Sequence, residues 1–127
     1  MGNQRKRETG SRGHYKLEAW KASRERVKKV YLLTQVFPKE EMFGLTAQMR
    51  RAAVSIPSNI AEGAARTGER EFAQFLNIAR GSLSELDTQL LIATDLGYSY
   101  IKNNDPVFEL IDLVSRLLTG LHKSVKM

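Results

Sequence analysis

The sequence predicts an all-α protein whose architecture is an antiparallel up-and-down four-helix bundle. Apolar residues recur at spacings of three, four and seven in four long segments, a period typical of amphipathic helices. No segment shows the sustained period-two alternation of a β-strand. Four such helices joined by short connections form a bundle. We expect the helices at about residues 17–36, 45–64, 68–96 and 105–125.

Length and composition indicate one globular domain with a basic extension. The chain has 127 residues, of which 42% are hydrophobic and 27% are charged, and a net charge of +6. Residues 2–13 contain no large apolar side chain, so they cannot offset the entropy of becoming ordered. We therefore predict a flexible basic arm at 1–14 and the bundle at 15–127. The arm is interpreted either as an anion-binding segment or as a tail that only aids solubility.

The first helix combines an apolar stripe with a concentration of positive charge. The helix ends at Phe37-Pro38, because proline cannot continue it. Six basic residues stand against two acidic ones between Lys16 and Lys29, which gives this segment a local charge of +4. The apolar stripe contains Trp20, Val27, Val30, Tyr31 and Thr34.

Proline also stands inside the predicted second helix. Pro57 has no N–H, and its ring crowds the carbonyl of Ala53. Because Ser55 and Ser58 are close enough to provide the freed groups with hydrogen bonds, we expect a kink rather than a break.

Capping residues mark the ends of the last two helices. Thr67 is predicted to cap the third helix, and Gly97 to end it in the left-handed conformation. Asp105 is predicted to cap the fourth helix, with Pro106 in its first turn.

The sequence contains no residue set typical of catalysis, so we expect a protein that is not an enzyme and has no cofactor or metal. It has no cysteine, which excludes disulfides, thiolate nucleophiles and Cys-ligated metals. Its two histidines, His14 and His122, have no partner at metal-ligand spacing. Gly63–Gly68 resembles the start of a phosphate-binding loop, but Glu69 stands where the lysine is needed. Without a signal peptide or a membrane-spanning apolar run, we expect a cytoplasmic protein with no membrane partner.

Basic residues of the arm and of the first helix are the candidate nucleic-acid contacts. Positive side chains on a helix face neutralise phosphates and gain affinity from counterion release. The alternative is a solvated helix surface that only keeps the protein soluble. The candidate residues are Arg5, Lys6, Arg7, Lys21, Arg24, Lys28 and Lys29.

Polar residues at helical spacing form a predicted structural or oligomer seam on the second and third helices. Small residues beside them allow another backbone to come close, although Gly81 inside a helix costs about 1 kcal/mol relative to alanine. One interpretation is that Glu62, Arg80 and Arg51 neutralise one another and fix the helix register. A more remote one is a ligand or hydrolytic site at Glu62, Arg80 and Glu85. The seam residues are Arg51, Ser55, Pro57, Ser58, Asn59, Glu62, Arg80, Gly81, Ser82 and Glu85.

Three segments of the chain are long and distinctive. They are YLLTQVFPKE at 31–40, GLTAQMRRAAVSIPSNIAEG at 44–63 and FLNIARGSLSEL at 75–86. Together with Trp20 they resemble the four helix bundle protein family, also called the 23S ribosomal RNA intervening-sequence protein family. The resemblance covers about residues 15–125 and leaves only the basic arm outside.

The resemblance implies a bacterial protein that forms an up-and-down bundle and assembles as a ring-like homopentamer, with no catalytic residues to carry over. Members are encoded within intervening sequences of bacterial 23S ribosomal RNA genes and also stand alone. The chain is distantly similar to the accessory variability determinant of diversity-generating retroelements, a basic pentamer that binds nucleic acid and a reverse transcriptase. The reverse-transcriptase partner belongs to those relatives and is not carried over.

These observations lead to two functional hypotheses. The first is a non-enzymatic homopentamer that binds RNA or DNA through basic surface residues, contacting phosphates without reading sequence. A ring would repeat each basic group and strengthen the field. The alternative is a protein-interaction scaffold or accessory subunit that docks a partner enzyme.

Overall fold

The computed structural model describes residues 13–98 and 105–125, and these residues form four α-helices with no strand among them. The all-α four-helix bundle is therefore confirmed, and every helix end lies within two residues of its predicted position. Two short 3₁₀ turns, Gly13–Lys16 and Lys39–Glu41, precede the first two helices. The helices are α1 (Glu18–Thr34), α2 (Leu45–Ala64), α3 (Glu69–Asp95) and α4 (Pro106–Val125).

The helices are arranged in cyclic order around one core. α2 packs against α1 and α3, and α4 packs against the same two helices from the other side. α2 and α3 are antiparallel. As residue numbers rise along α2, the residues they contact along α3 fall in number. The contacting pairs are Glu41 with Tyr98, Ser55 with Ser82, and Gly63 with Phe75.

The core is built from apolar residues at helical spacing on all four helices. The predicted stripe of α1 is only partly right, because Val30 and Thr34 are buried whereas Tyr31 is 41% exposed. Full burial of one such leucine or isoleucine contributes about 1.5–3 kcal/mol relative to an exposed position. Within the described ranges, no helix combines the length and hydropathy needed to cross a membrane. The fully buried apolar side chains include Met49, Ile56, Ile60, Leu76, Leu86, Leu90, Val114 and Leu118.

Close contact between α2 and α3 depends on Gly63. A Cβ atom at this position would lie 2.8 Å from the Cβ of Phe75 and 2.9 Å from Cδ1 of Phe72. Real Cβ atoms do not approach other carbons so closely, so the two helices can touch here only because the residue is glycine.

The helix ends agree with the predicted caps in two cases out of three. The backbone N–H of Val107 donates to Oδ1 of Asp105 over 2.9 Å, and Gly97 has the left-handed φ of +72°. The prediction for Thr67 is wrong, because Gly68 occupies the N-cap of α3 and no side chain caps that end.

α2 runs through Pro57 without a break, as expected. The hydrogen bonds near the proline come from Asn59 rather than from Ser58. Asn59 Nδ2 donates to the Ser55 carbonyl over 2.8 Å and to Ser55 Oγ over 2.9 Å. These bonds tie down the turn in which proline removes a backbone donor.

Candidate nucleic-acid interface

Three of the predicted cations line one groove on the solvent side of α1. Lys21, Arg24 and Lys28 form this groove together with Glu25 and the ring of Tyr31. We call these five residues the basic groove. All three cations are exposed, so they are free to approach a phosphate.

The basic groove follows from the helical periodicity of α1. Lys21, Arg24 and Lys28 are spaced by three and four residues, so they share one face. The opposite face holds Ala19 and Val30, which are buried in the core. Lys29 is exposed too, but it does not line the groove.

Existing contacts of the groove cations are weak and solvent-exposed. Lys21 Nζ lies 3.3 Å from Oε2 of Glu18, and the Arg24 guanidinium lies 4.8 Å from the centre of the Trp20 ring. Exposed ion pairs of this kind contribute only about 0–1 kcal/mol. Replacing these contacts would therefore cost little.

Arg26 does not belong to the surface charge of the first helix, although the sequence count included it. Its side chain is fully buried, and none of its guanidinium nitrogens has a hydrogen-bond partner in the described ranges. Burial lowers the pKa of Arg26 to about 10, against the attraction of Asp87 and Asp112. The solvent-facing positive charge of α1 is therefore one unit lower than the sequence predicts.

The predicted contacts of the basic arm, Arg5, Lys6 and Arg7, lie outside the described residues. The candidate interface therefore rests on α1 alone.

Three predicted seam residues lie at the contact between α2 and α3. The hydroxyls of Ser55 and Ser82 share a 2.8 Å hydrogen bond between the two helices. Pro57 is also buried, but two residues from Ser55 it lies on another side of α2. Asn59 supports Ser55 from one turn further along α2. These residues hold the two helices in register.

The charged seam residues do not neutralise one another as the sequence interpretation expected. Glu62 pairs with Arg66 over 2.8 Å, and Arg80 donates to Oδ1 of Asn77 over 3.3 Å. Arg51 and Glu85 are exposed. The remote ligand site is not assembled either, because Glu62 pairs with Arg66 and Arg80 with Asn77. The described residues also contain no cluster of three side chains that could hold a metal ion.

The structure also contains an apolar groove that the sequence analysis missed. Met42, Phe43 and Val54 line it, beside Arg51 of α2 and Tyr31 of α1. Phe43 stands in a connection, where no periodicity indicates burial or exposure. The only sequence signal was the adjacent pair of large apolar residues before Gly44.

Comparison with known proteins agrees with the fold and with the distinctive segments. The family model described as 23S rRNA-intervening sequence protein matches residues 15–120 of the chain. No curated protein matches it. The matched range contains the basic groove, the seam and most of all four helices. The chain belongs to the 23S rRNA-intervening sequence protein family.

Proposed function

We propose that this protein is a non-enzymatic homopentamer that binds RNA or DNA through the basic groove of α1. The observation that carries the proposal is the convergence of Lys21, Arg24 and Lys28 in one exposed groove beside an aromatic ring. The pentamer is the assembly that the family resemblance implies.

The chemistry of the groove suits a nucleic-acid backbone. Each cation that neutralises a phosphate releases a condensed counterion, and this release drives binding at low salt. The rings of Trp20 and Tyr31 lie under the guanidinium groups of Arg24 and Arg50. Aromatic and guanidinium planes of this kind stack on unpaired bases of any sequence. The groove therefore favours single-stranded segments without sequence preference.

Assembly multiplies this weak local site. A single groove offers three cations, which by themselves give modest affinity. When several copies are joined, binding of one groove raises the effective concentration of the same nucleic acid at the next groove. A long RNA is therefore expected to bind much more tightly than a short one.

The experiment measures fluorescence anisotropy of a labelled mixed-sequence RNA of about 20 nucleotides, a length that spans more than one binding site. We expect the affinity to fall by roughly tenfold or more between about 50 and 200 mM salt. Combined Lys21→Glu, Arg24→Glu and Lys28→Glu substitutions should abolish binding, because they replace every cation of the groove with an anion.

The matched control reverses three exposed charges elsewhere, with Lys39→Glu, Arg116→Glu and Lys123→Glu. It changes the net charge by the same amount and should keep most of the affinity. Equal loss in both variants would mean that only net charge matters. Unchanged binding in the groove variant, or no binding by the native chain, would overturn the assignment.

A further inference from the structure

The apolar groove leaves large side chains in contact with solvent. Phe43 is 92% exposed and Met42 56%. Together with Ala47, Arg51 and Val54 they border a groove of about 650 Å³ on the outer side of α2. We call these five residues the α2 groove. A contiguous exposed apolar surface with a charged rim is typical of an interaction site.

The turn that presents Phe43 is held in place. Glu41 accepts the backbone N–H of Leu45 over 3.0 Å and the hydroxyl of Tyr98 over 2.7 Å. The N–H of Gly44 donates to the Glu41 carbonyl over 3.0 Å. Because these bonds fix both sides of residue 43, the exposed ring is preorganised for a partner, which reduces the entropy lost on binding.

A second unpartnered surface runs along α3. Ile78, Ile92 and Leu96 are 50%, 42% and 55% exposed, and Glu85 lies between them. Helical spacing places these residues on one face, together with Gly81. We call these five residues the α3 stripe. Its exposed apolar side chains could be covered by the apolar residues of the α2 groove.

Gly81 is the second observation that points to a partner at the α3 stripe. A Cβ atom at this position would meet nothing within 4 Å, so no contact with the described residues requires glycine. Glycine in a helix interior nevertheless costs about 1 kcal/mol relative to alanine. A backbone or side chain that packs on α3 from another molecule would use the space that the missing Cβ leaves.

The two surfaces match each other in height along the bundle. Ser55 and Ser82 lie at the same height along the bundle, because they share a hydrogen bond. Since α2 and α3 are antiparallel, a residue some positions before Ser55 lies level with the residue the same number of positions after Ser82. Four residues away, Arg51 comes level with Leu86, the neighbour of Glu85. A rotation about an axis parallel to the helices preserves these heights, so it would bring Arg51 of one copy opposite Glu85 of the next.

The apolar residues match in the same way. Val54 is one residue before Ser55, so its height falls between Gly81 and Glu85 on the α3 stripe. Phe43 comes level with the segment between Ile92 and Leu96, and the nearby Glu41–Tyr98 bond gives almost the same register. In such an arrangement the Phe43 ring would face Ile92 and Leu96, Val54 would lie beside Gly81, and Arg51 would face Glu85.

We propose that a second copy of this chain binds the α2 groove, and that it does so with its α3 stripe. The contact is heterologous, because two different surfaces of the same chain meet, and such contacts close into rings when the rotation permits. The inference rests on the homo-oligomer of the proposed function and assigns the surfaces that form it.

The first experiment measures the mass of the assembly by native mass spectrometry and light scattering. Arg51→Glu and Glu85→Arg alone should each dissociate the native oligomer, because each places like charges opposite each other. The two substitutions combined should restore it. Arg116→Glu, an exposed charge reversal outside both surfaces, is the control that should stay assembled. Circular dichroism checks that each variant keeps its helices.

The second experiment tests whether the contact is heterologous. Val54→Glu disables the α2 groove and Ile92→Glu disables the α3 stripe opposite Phe43, and both positions are exposed, so the fold should tolerate them. Each variant alone should be monomeric. An equimolar mixture retains one intact groove and one intact stripe, and should form a one-to-one dimer. A mixture that stays monomeric would overturn the heterologous contact.

The outcomes separate this inference from the proposed function. A native oligomer that survives both single charge reversals would overturn the interface while leaving the oligomer intact. A native chain that is monomeric on its own, or that associates only with a different protein, would overturn both. Loss of RNA binding in the basic-groove variant without loss of assembly would support separate surfaces for the two properties.

Discussion

The Tyr98 hydroxyl donates a 2.7 Å hydrogen bond to Oε2 of Glu41, and this bond joins the turn before α2 to the residues that follow α3. The other carboxylate oxygen of Glu41 accepts the N–H of Leu45 over 3.0 Å. The Tyr98 ring also lies 5.5 Å from the ring of Phe37. Among the described residues, Tyr98 and Glu41 thus link the two connections at this end of the bundle.

This bond should make stability depend on pH at both extremes. The N–H of Leu45, and then the Tyr98 hydroxyl, lower the pKa of Glu41, so its stabilisation is present above the ordinary carboxyl pKa and is lost as pH falls through the lowered value. The bond to Glu41 raises the pKa of Tyr98, so that stabilisation is lost as pH rises above its ordinary range. The melting temperature of Tyr98→Phe should therefore fall furthest below that of the native chain near neutral pH.

Thermal unfolding followed by circular dichroism in acidic, neutral and alkaline buffers measures this difference. Tyr31→Phe, at an exposed tyrosine, is the control and should show no such profile. A difference between Tyr98→Phe and the native chain that stays constant from acid to alkali would show that the bond to Glu41 contributes nothing.

Replacement of Arg26 by methionine should stabilise the protein. The guanidinium is buried without a hydrogen bond among the described residues, and burial lowers the pKa of Arg26 to about 10. A buried charge that lacks good partners is often less favourable than an apolar side chain of similar size, by about 1–4 kcal/mol. Urea unfolding at neutral pH should show a gain of this order for Arg26→Met.

The pH dependence gives an independent check on Arg26. Because its pKa is lower in the folded protein than in the unfolded chain, the cost of the buried charge is complete below about pH 10 and decreases as pH rises above that value. The advantage of Arg26→Met should shrink in the same range. Arg24→Met, at the exposed neighbour, should be nearly neutral, and a destabilised Arg26→Met would refute the unpaired-charge interpretation.

Much of the fold could be predicted because it depends on periodicity. The four helices follow from apolar spacing, and the caps at Gly97 and Asp105 follow from local backbone chemistry. Helical spacing also indicates the burial of Arg26. It lies three residues after Ser23 and four before Val30, so it shares a helix face with these two buried residues. The local charge of +4 counted every basic residue of the segment, whichever face of the helix it occupies.

The candidate site was harder to predict because it depends on which side chains meet. The pairing of Glu62 with Arg66 is a local contact across one helical turn, whereas the interpretation looked for partners on another helix. The exposure of Phe43 depends on the path of a connection, which periodicity does not describe. Lys21, Arg24 and Lys28 do line one groove, as their spacing on α1 predicts, but whether they bind nucleic acid stays a prediction.

Gly63→Ala should destabilise the protein by about 1–3 kcal/mol, the usual cost of overpacking. The new methyl group would lie within 3 Å of carbon atoms of Phe72 and Phe75, so α2 and α3 would have to separate. Gly120→Ala is the matched control: it lies in α4, where an added Cβ would meet nothing within 4 Å, and should stabilise by about 0.5–1 kcal/mol through helix propensity. Equal effects of the two substitutions in urea unfolding would contradict the close packing at Gly63.

The Ser55–Ser82 hydrogen bond should show an asymmetry between its two ends. Ser82→Ala leaves Ser55 Oγ with the bond from Asn59, so the cost should be small, about 0.5–1 kcal/mol. Ser55→Ala removes the partner of Ser82 Oγ and one acceptor of Asn59, so it should cost about 1–2 kcal/mol. The double variant should cost less than the sum of the two, because neither helix then retains an unsatisfied hydroxyl at the contact. Urea unfolding of the four chains gives this coupling directly, and strict additivity would mean that the two hydroxyls do not interact.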